Sequence, residues 1–185
     1  MRRQGRELGR IKLSNAFVVG HIGRFNQQKN HLFLLEVFSK IKCCNENAML
    51  VLCGTGEKEK EIKRKVYEMN LEKSVIFAGV RFDIPQVLSA MDVLVFPSLY
   101  EGMPNALMEA MAAGVPCIST DCPCGGPREL LGDDSNLLIP VGNKLGLEDK
   151  ILDFFENQTV LEECGKELKK IAKIFTPEVI EKKMD

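Results

Sequence analysis

Neither sign of charge is in surplus in this chain. Its 185 residues carry 25 Lys and Arg against 26 Asp and Glu, a formal net charge of −1. A protein that grips nucleic acid through bulk electrostatics needs a basic excess, so nucleic acid is not expected as a partner. Long hydrophobic runs are missing too, and none approaches the roughly 20 apolar residues of a membrane-spanning helix. The first twelve residues are polar and basic and lack a signal-peptide pattern, which points to a cytoplasmic protein. Paired metal-ligand clusters are also absent. The seven cysteines do not fall into two matched groups, and the two histidines, His21 and His31, lie far from the Cys122-x-Cys124 pair. No structural metal is expected, and the thiols read as reduced. Cys53 and Cys117 sit inside apolar, strand-like runs, where cysteine behaves as a small buried hydrophobe. Cys43, Cys44, Cys122 and Cys124 read as less buried.

What the chain does have is a core and an alternating pattern. Hydrophobic residues make up 45% of it, enough for one large globular domain. Residues 1–14 read as a linker or inter-domain segment, 15–175 as the folded domain, and 176–185 as the start of a C-terminal helix opened by Thr176-Pro177. Within the domain, strand-like runs are expected at Phe17–Ile22, Ala48–Cys53, Ser74–Phe77, Asp92–Phe96, Val115–Ser119 and Leu137–Ile139. Between and after them, helices are expected at His31–Lys42, Glu57–Met69, Ile84–Met91, Asn105–Ala113, Pro127–Leu131, Leu147–Asn157 and Thr159–Ile174. Buried strands alternating with helices predict a Rossmann-like, three-layer α/β/α fold with a mostly parallel sheet of about six strands. Such sheets bind ligands at the C-terminal ends of their strands. Five turn-rich loops fall there: Gly23 to Asn30, Gly54 to Gly56, Gly79 to Asp83, Pro97 to Asn105, and Asp121 to Pro127.

The strongest local signal is Glu101-Gly-Met-Pro-Asn-Ala-Leu-Met-Glu109, two carboxylates eight positions apart around a helix start. Free backbone N–H groups at a helix N-terminus suit a phosphate, and carboxylates accept hydrogen bonds from hydroxyl-rich groups. Because small and apolar residues flank Glu109, its helix is expected to be largely buried, and a buried carboxylate without a partner is costly. Arg24 and Lys29 share the loop after the first strand, beside Gly23, and could converge on a diphosphate; the same loop could equally be a solvated surface. Val80 and Arg81 follow a strand and could read a base edge, or belong to an ordinary loop. Gly125-Gly126 permits close backbone approach to a ligand, with a plain loop as the alternative. Gly54-Thr-Gly56 resembles the start of a dinucleotide fingerprint, but the third glycine is replaced by Glu59, and no phosphate-loop Gly-Lys-Ser/Thr follows. It reads as a tight strand-to-helix turn.

Taken together and in order, these motifs resemble the nucleotide-binding C-terminal half of retaining glycosyltransferases of the GT-B fold, family 4. The resemblance rests on Gly-Arg-Phe-x-x-x-Lys-Asn (Gly23 to Asn30), Val-x-Phe-x-Gly (Val75 to Gly79) and Phe-Pro-Ser-Leu-Tyr-Glu-Gly (Phe96 to Gly102). Glu101-x7-Glu109-Ala-Met-Ala-x-Gly-x-Pro and the segment from Thr120 to Glu129 complete it. It implies that Gly23, Arg24 and Lys29 bind the donor diphosphate and that Glu109 holds the ribose hydroxyls. It implies further that Gly102, Met103 and Pro104 bind the donor, that backbone N–H groups near Asn105 and Ala106 add to the phosphate site, that Val80 and Arg81 flank the base, and that Glu101, the catalytic residue, lies by the donor sugar and leaving phosphate. The donor implied is a nucleotide sugar, most readily a UDP-sugar. The acceptor is a glycan or a lipid-linked glycan, in polysaccharide or cell-envelope glycan assembly, with the full enzyme cytoplasmic or peripheral at the inner membrane face. The resemblance implies neither cofactor nor metal, in keeping with the lack of an Asp-x-Asp motif. It also implies an N-terminal acceptor-binding domain that is missing from this sequence, so the chain alone is expected to be inactive. The alternatives are a non-catalytic nucleotide-binding module, a GT-B sugar-nucleotide epimerase fragment and an NAD-type Rossmann domain. The last lacks both the third glycine and an acidic ribose ligand after the second strand.

Overall fold

The computed structural model describes residues 7–8, 11–13, 15–133 and 135–175. Two short strands, β1 (Glu7–Leu8) and β2 (Ile11–Lys12), pair antiparallel near the start, inside the segment expected as a linker. Leu8 and Leu13 are buried against the main core, so this segment is attached to the domain rather than simply leading into it. The piece expected as a C-terminal helix, 176–185, lies outside the described residues.

The main sheet has six parallel strands: β3 (Phe17–Ile22), β4 (Ala48–Cys53), β5 (Val75–Gly79), β6 (Val93–Phe96), β7 (Cys117–Asp121) and β8 (Leu138–Pro140). Their spatial order is β5-β4-β3-β6-β7-β8. The first three strands step outward one way, and the chain then returns to the middle and steps the other way. This is the Rossmann order, and its reversal point lies between β3 and β6. Central strands are buried on both faces and so read as unbroken apolar runs; Val93–Phe96 is wholly buried.

Among the described residues seven helices cover the sheet: α1 (His31–Cys44), α2 (Glu59–Glu68), α3 (Ile84–Ser89), α4 (Asn105–Ala113), α5 (Gly126–Leu131), α6 (Lys144–Glu156) and α7 (Gln158–Ala172). A right-handed crossover on each side of the reversal point sends the helices to opposite faces. Accordingly α1 packs beside α2 and α6, while α4 packs beside α3 and α7. Leu34, Leu35, Val37, Phe38 and Ile41 seat α1, and Leu107, Ala110 and Met111 seat α4.

Helix α4 stops where the sequence predicts. Gly114 takes φ 75°, a left-handed conformation that favours glycine. The amide of Gly114 donates to Met111, and that of Val115 to Ala110, closing the last turn. Because Val115 is engaged in this cap, β7 begins at Cys117 rather than at the expected Val115. Cys53 and Cys117 are buried as expected, and Cys43, Cys44 and Cys124 are exposed. Cys122, expected to be more open, is buried: it follows directly on β7, which carries it into the interior.

Candidate functional site

The loop after β3 and the loop after β6 meet at the reversal point of the sheet. Beside the Lys29–Glu101 ion pair, three hydrogen bonds join them. The Leu99 amide donates to the Gln28 carbonyl at 2.8 Å, the Gln28 side-chain amide to the Tyr100 carbonyl at 2.8 Å, and the Asn30 side-chain amide to the Pro97 carbonyl at 3.3 Å. Asn30 itself adopts φ 52°, a left-handed conformation that asparagine tolerates, and ends the loop just before α1. Gln28 and Asn30 were not among the expected site residues. Asn30 closes the Gly-Arg-Phe-x-x-x-Lys-Asn motif, whereas the only signal of Gln28 was that it flanks Lys29.

At the centre of this junction the Lys29 ammonium is hydrogen-bonded to Oε1 of Glu101. Glu101 is 6% exposed and the Lys29 side chain 16%. An ion pair this secluded is poorly screened by salt, and losing either partner would strand the other's charge. The Lys29 backbone is fixed by its amide, which donates to the Asn26 side chain at 3.1 Å. The Cys122 thiol lies against Glu101; burial pushes its pKa up, and the neighbouring carboxylate adds to that push.

Beneath the pair runs a row of rings. Phe77, Phe25, His31, His21 and Phe96 stand edge-to-face in sequence, with centroids 6.2, 4.6, 4.6 and 5.9 Å apart. His21 lies 2.8 Å from the Val95 carbonyl through Nδ1, which assigns the proton to that nitrogen and leaves Nε2 a bare acceptor. Among the described residues, neither that Nε2 nor either ring nitrogen of His31 has a hydrogen-bond partner. Burial lowers the His21 pKa to about 4 and pushes that of His31 lower still, so both rings are neutral at physiological pH.

The other expected residues fall along the same edge, but not all as expected. Arg24 does not converge with Lys29: it is exposed and faces Glu57 at 3.6 Å, because its loop position points away from the β3–β6 junction. Gly23 lies over His21 and against the Lys29 stem. Arg81 grips Asp83 in a two-pronged pair, one prong at 2.7 Å, and Val80 is exposed at the end of β5. Gly102 and Met103 are exposed and Pro104 is buried. Pro104 precedes α4 in an extended conformation, and no side chain caps the helix. The first turn, at Asn105 and Ala106, is therefore left for a ligand or solvent.

Glu109 corrects the sequence reading. It is exposed, and among the described residues it has no ion-pair or hydrogen-bond partner. Its apolar neighbours in sequence do bury the helix, but at 3.6 residues per turn Glu109 points away from Leu107, Ala110 and Met111. The buried carboxylate is Glu101 instead.

The glycine turns pack backbone on backbone. A Cβ on Gly54 would overlap the Gly23 carbonyl, one on Gly56 the Phe25 carbonyl, and one on Gly126 the Gly102 carbonyl. Gly54-Thr-Gly56 therefore serves to cross the first loop closely, and Gly126 to bring α5 against the loop that carries Glu101. No group of three or more His, Cys, Asp or Glu that could hold a metal ion occurs among the described residues.

The family model described as "Glycosyl transferases group 1" matches residues 9–171, nearly the whole chain. The chain belongs to this family. Among its relatives is the UDP-Gal:α-D-GlcNAc-diphosphoundecaprenol α-1,3-galactosyltransferase of Escherichia coli, 42% identical over 107 residues, which are 56% of this chain and 28% of that protein. The N-acetylgalactosamine-N,N'-diacetylbacillosaminyl-diphospho-undecaprenol 4-α-N-acetylgalactosaminyltransferase of Campylobacter jejuni is 28% identical over 166 residues, 89% of this chain and 44% of that protein. Among solved structures, TarM of S. aureus, in complex with fondaparinux, α-GlcNAc-glycerol and UDP, superposes with a TM-score of 0.83 at 27% identity. That match covers 94% of this chain and 37% of TarM. The chain thus spans less than half the length of each of these glycosyltransferases.

Proposed function

We propose that the chain is the donor-binding domain of a retaining glycosyltransferase that takes a sugar from a nucleotide sugar, a UDP-sugar in the first instance. The observation that carries this reading is the Lys29–Glu101 pair, held at the sheet's reversal point beside the uncapped start of α4. As the bond from the anomeric carbon to the diphosphate breaks, negative charge collects on the leaving phosphate. A fixed ammonium and helix N–H groups can offset that charge without a metal. Lys29, the amides of Asn105 and Ala106, and Arg24 once turned from Glu57 are the groups for this role. Glu109, exposed on α4, is free to accept two hydrogen bonds from vicinal ribose hydroxyls. Val80 and Arg81 flank the base, and Glu101 faces the sugar.

The relatives favour uridine: one is named for UDP-Gal, and TarM was solved with UDP. Two are named for diphosphoundecaprenol-linked substrates, which supports a lipid-linked glycan as acceptor and work at a membrane surface. No helix among the described residues is long and apolar enough to cross a membrane.

Thermal unfolding with a panel of UDP, GDP and ADP tests the reading. UDP is expected to raise the midpoint, Lys29→Ala to abolish most of the rise, and Glu109→Ala to reduce it. Wild-type shifts in both variants would refute the site assignment. Stabilisation by NAD and by none of the diphosphates would refute the function.

A further inference from the structure

In the free protein, Glu101 occupies the lysine that a diphosphate needs. Resting on the donor-binding reading above, we propose that Glu101 makes the site discriminate between a sugar-bearing nucleoside diphosphate and the bare nucleoside diphosphate left after transfer. The pair is direct and secluded, so the two side chains respond to a ligand together. A carboxylate only accepts hydrogen bonds, and here its ammonium donor is Lys29. A ligand that draws Lys29 onto its phosphate must give Glu101 another donor or leave its charge facing the phosphate.

The two ligands differ in what they bring. A nucleotide sugar presents hydroxyl groups beyond its second phosphate, and these can donate to Glu101 as Lys29 turns away. Its second phosphate, esterified to the sugar, carries one negative charge. A bare diphosphate ends in a terminal phosphate close to two negative charges at neutral pH, and that end offers acceptors only. Glu101 then faces an anion across a poorly hydrated junction, where Coulomb repulsion is strong. Substrate is accommodated, and product is pressed out as Glu101 recaptures Lys29. The loops on which both residues sit are tied by Gln28 and Asn30, so the carboxylate cannot swing far to avoid the encounter.

The test is calorimetric titration of the chain with UMP, UDP and UDP-glucose, UDP-galactose or UDP-GlcNAc. Glu101→Gln is expected to tighten UDP by about tenfold or more, as one like-charge contact relieved predicts, while UDP-sugars change by less than about threefold. UMP, which lacks the second phosphate, should bind the variant as it binds the wild type, which also reports that the fold is intact. Glu101→Asp keeps the charge and should keep the wild-type preference, so the test survives if the glutamine variant folds poorly. Unchanged or weaker UDP binding by Glu101→Gln overturns the proposal, as does equal tightening of UDP and the UDP-sugars. Those outcomes leave donor binding standing. If no uridine, guanosine or adenosine diphosphate or its sugar form binds the wild type, the donor-binding reading falls and this proposal with it.

Discussion

At the residue scale the candidate site depends on which polar groups are sealed in. Sequence reasoning took Glu109 as the buried carboxylate because its neighbours are small and apolar, yet neighbours along a helix do not share a face. The geometry gives that place to Glu101, which sits in a loop where no periodicity announces burial. The histidines were equally silent in sequence, since a lone His on an apolar run carries no mark of its partners. Together they make a pH prediction. His21 and His31 have pKa values lowered by burial, that of His21 to about 4, while their unfolded values lie near 6.5. Between those values the unfolded chain holds protons that the folded chain does not, so stability is full above about pH 6.5 and falls as pH drops towards 4. Each histidine contributes up to about 1.4 kcal/mol per pH unit across that window. Urea unfolding at pH 5 and pH 7.5 should show the loss. His31→Phe removes two unpartnered ring nitrogens, and is expected to flatten the slope with little loss of stability at pH 7.5. A wild-type slope in that variant would show that His31 is not the group responsible.

At the scale of elements, turns and caps decide how well each boundary can be read and what the loops can hold. Gly126 opens α5 directly over the Gly102 carbonyl, and a Cβ there would strike backbone rather than a flexible side chain. Gly126→Ala is therefore expected to destabilise the domain by about 1–3 kcal/mol, the range for overpacking. It should also cut the UDP-induced thermal shift, because the displaced loop carries Glu101 and leads into α4. A variant that loses stability but keeps the wild-type UDP shift would separate α5 from the site. The strands were legible because parallel strands buried on both faces are continuous apolar runs: Phe17–Ile22 and Ala48–Cys53 lie where the sequence puts them. Helix α4 was equally legible, since Pro104 and Gly114 bracket it. At α6 a local hydrogen bond moved the boundary. Helix α6 starts at Lys144, ahead of the expected Leu147, because the Asn143 side chain accepts from the Gly146 amide at 3.0 Å and caps it. The ties from Gln28 and Asn30 to the loop after β6 span about 70 positions of chain, and no local pattern could reveal them.

For the whole molecule, the donor-binding reading proposed above calls for two surfaces, one for the donor and one for the acceptor. The loops after β5 and β6 leave Val80, Phe82, Tyr100 and Met103 exposed, Phe82 at 95%, an apolar rim at the C-terminal edge of the sheet. Exposed apolar groups at the edge that carries the site are what a second domain would cover. A sugar bound on this edge alone meets water rather than a positioned acceptor hydroxyl. The rate advantage lost is large, because holding two reactants in place is worth effective concentrations of about 10⁵ M or more. The chain by itself is therefore expected to bind UDP and transfer nothing, measured as release of UDP from a UDP-sugar in the presence of a diphosphoundecaprenol-linked glycan. Joined to an acceptor-binding half of its own family, it should gain transfer, and Lys29→Ala in the joined protein should remove it while leaving the half-domains folded. Turnover by the 185-residue chain alone would mean that this edge already carries an acceptor site, and that the apolar rim serves the substrate rather than a partner domain.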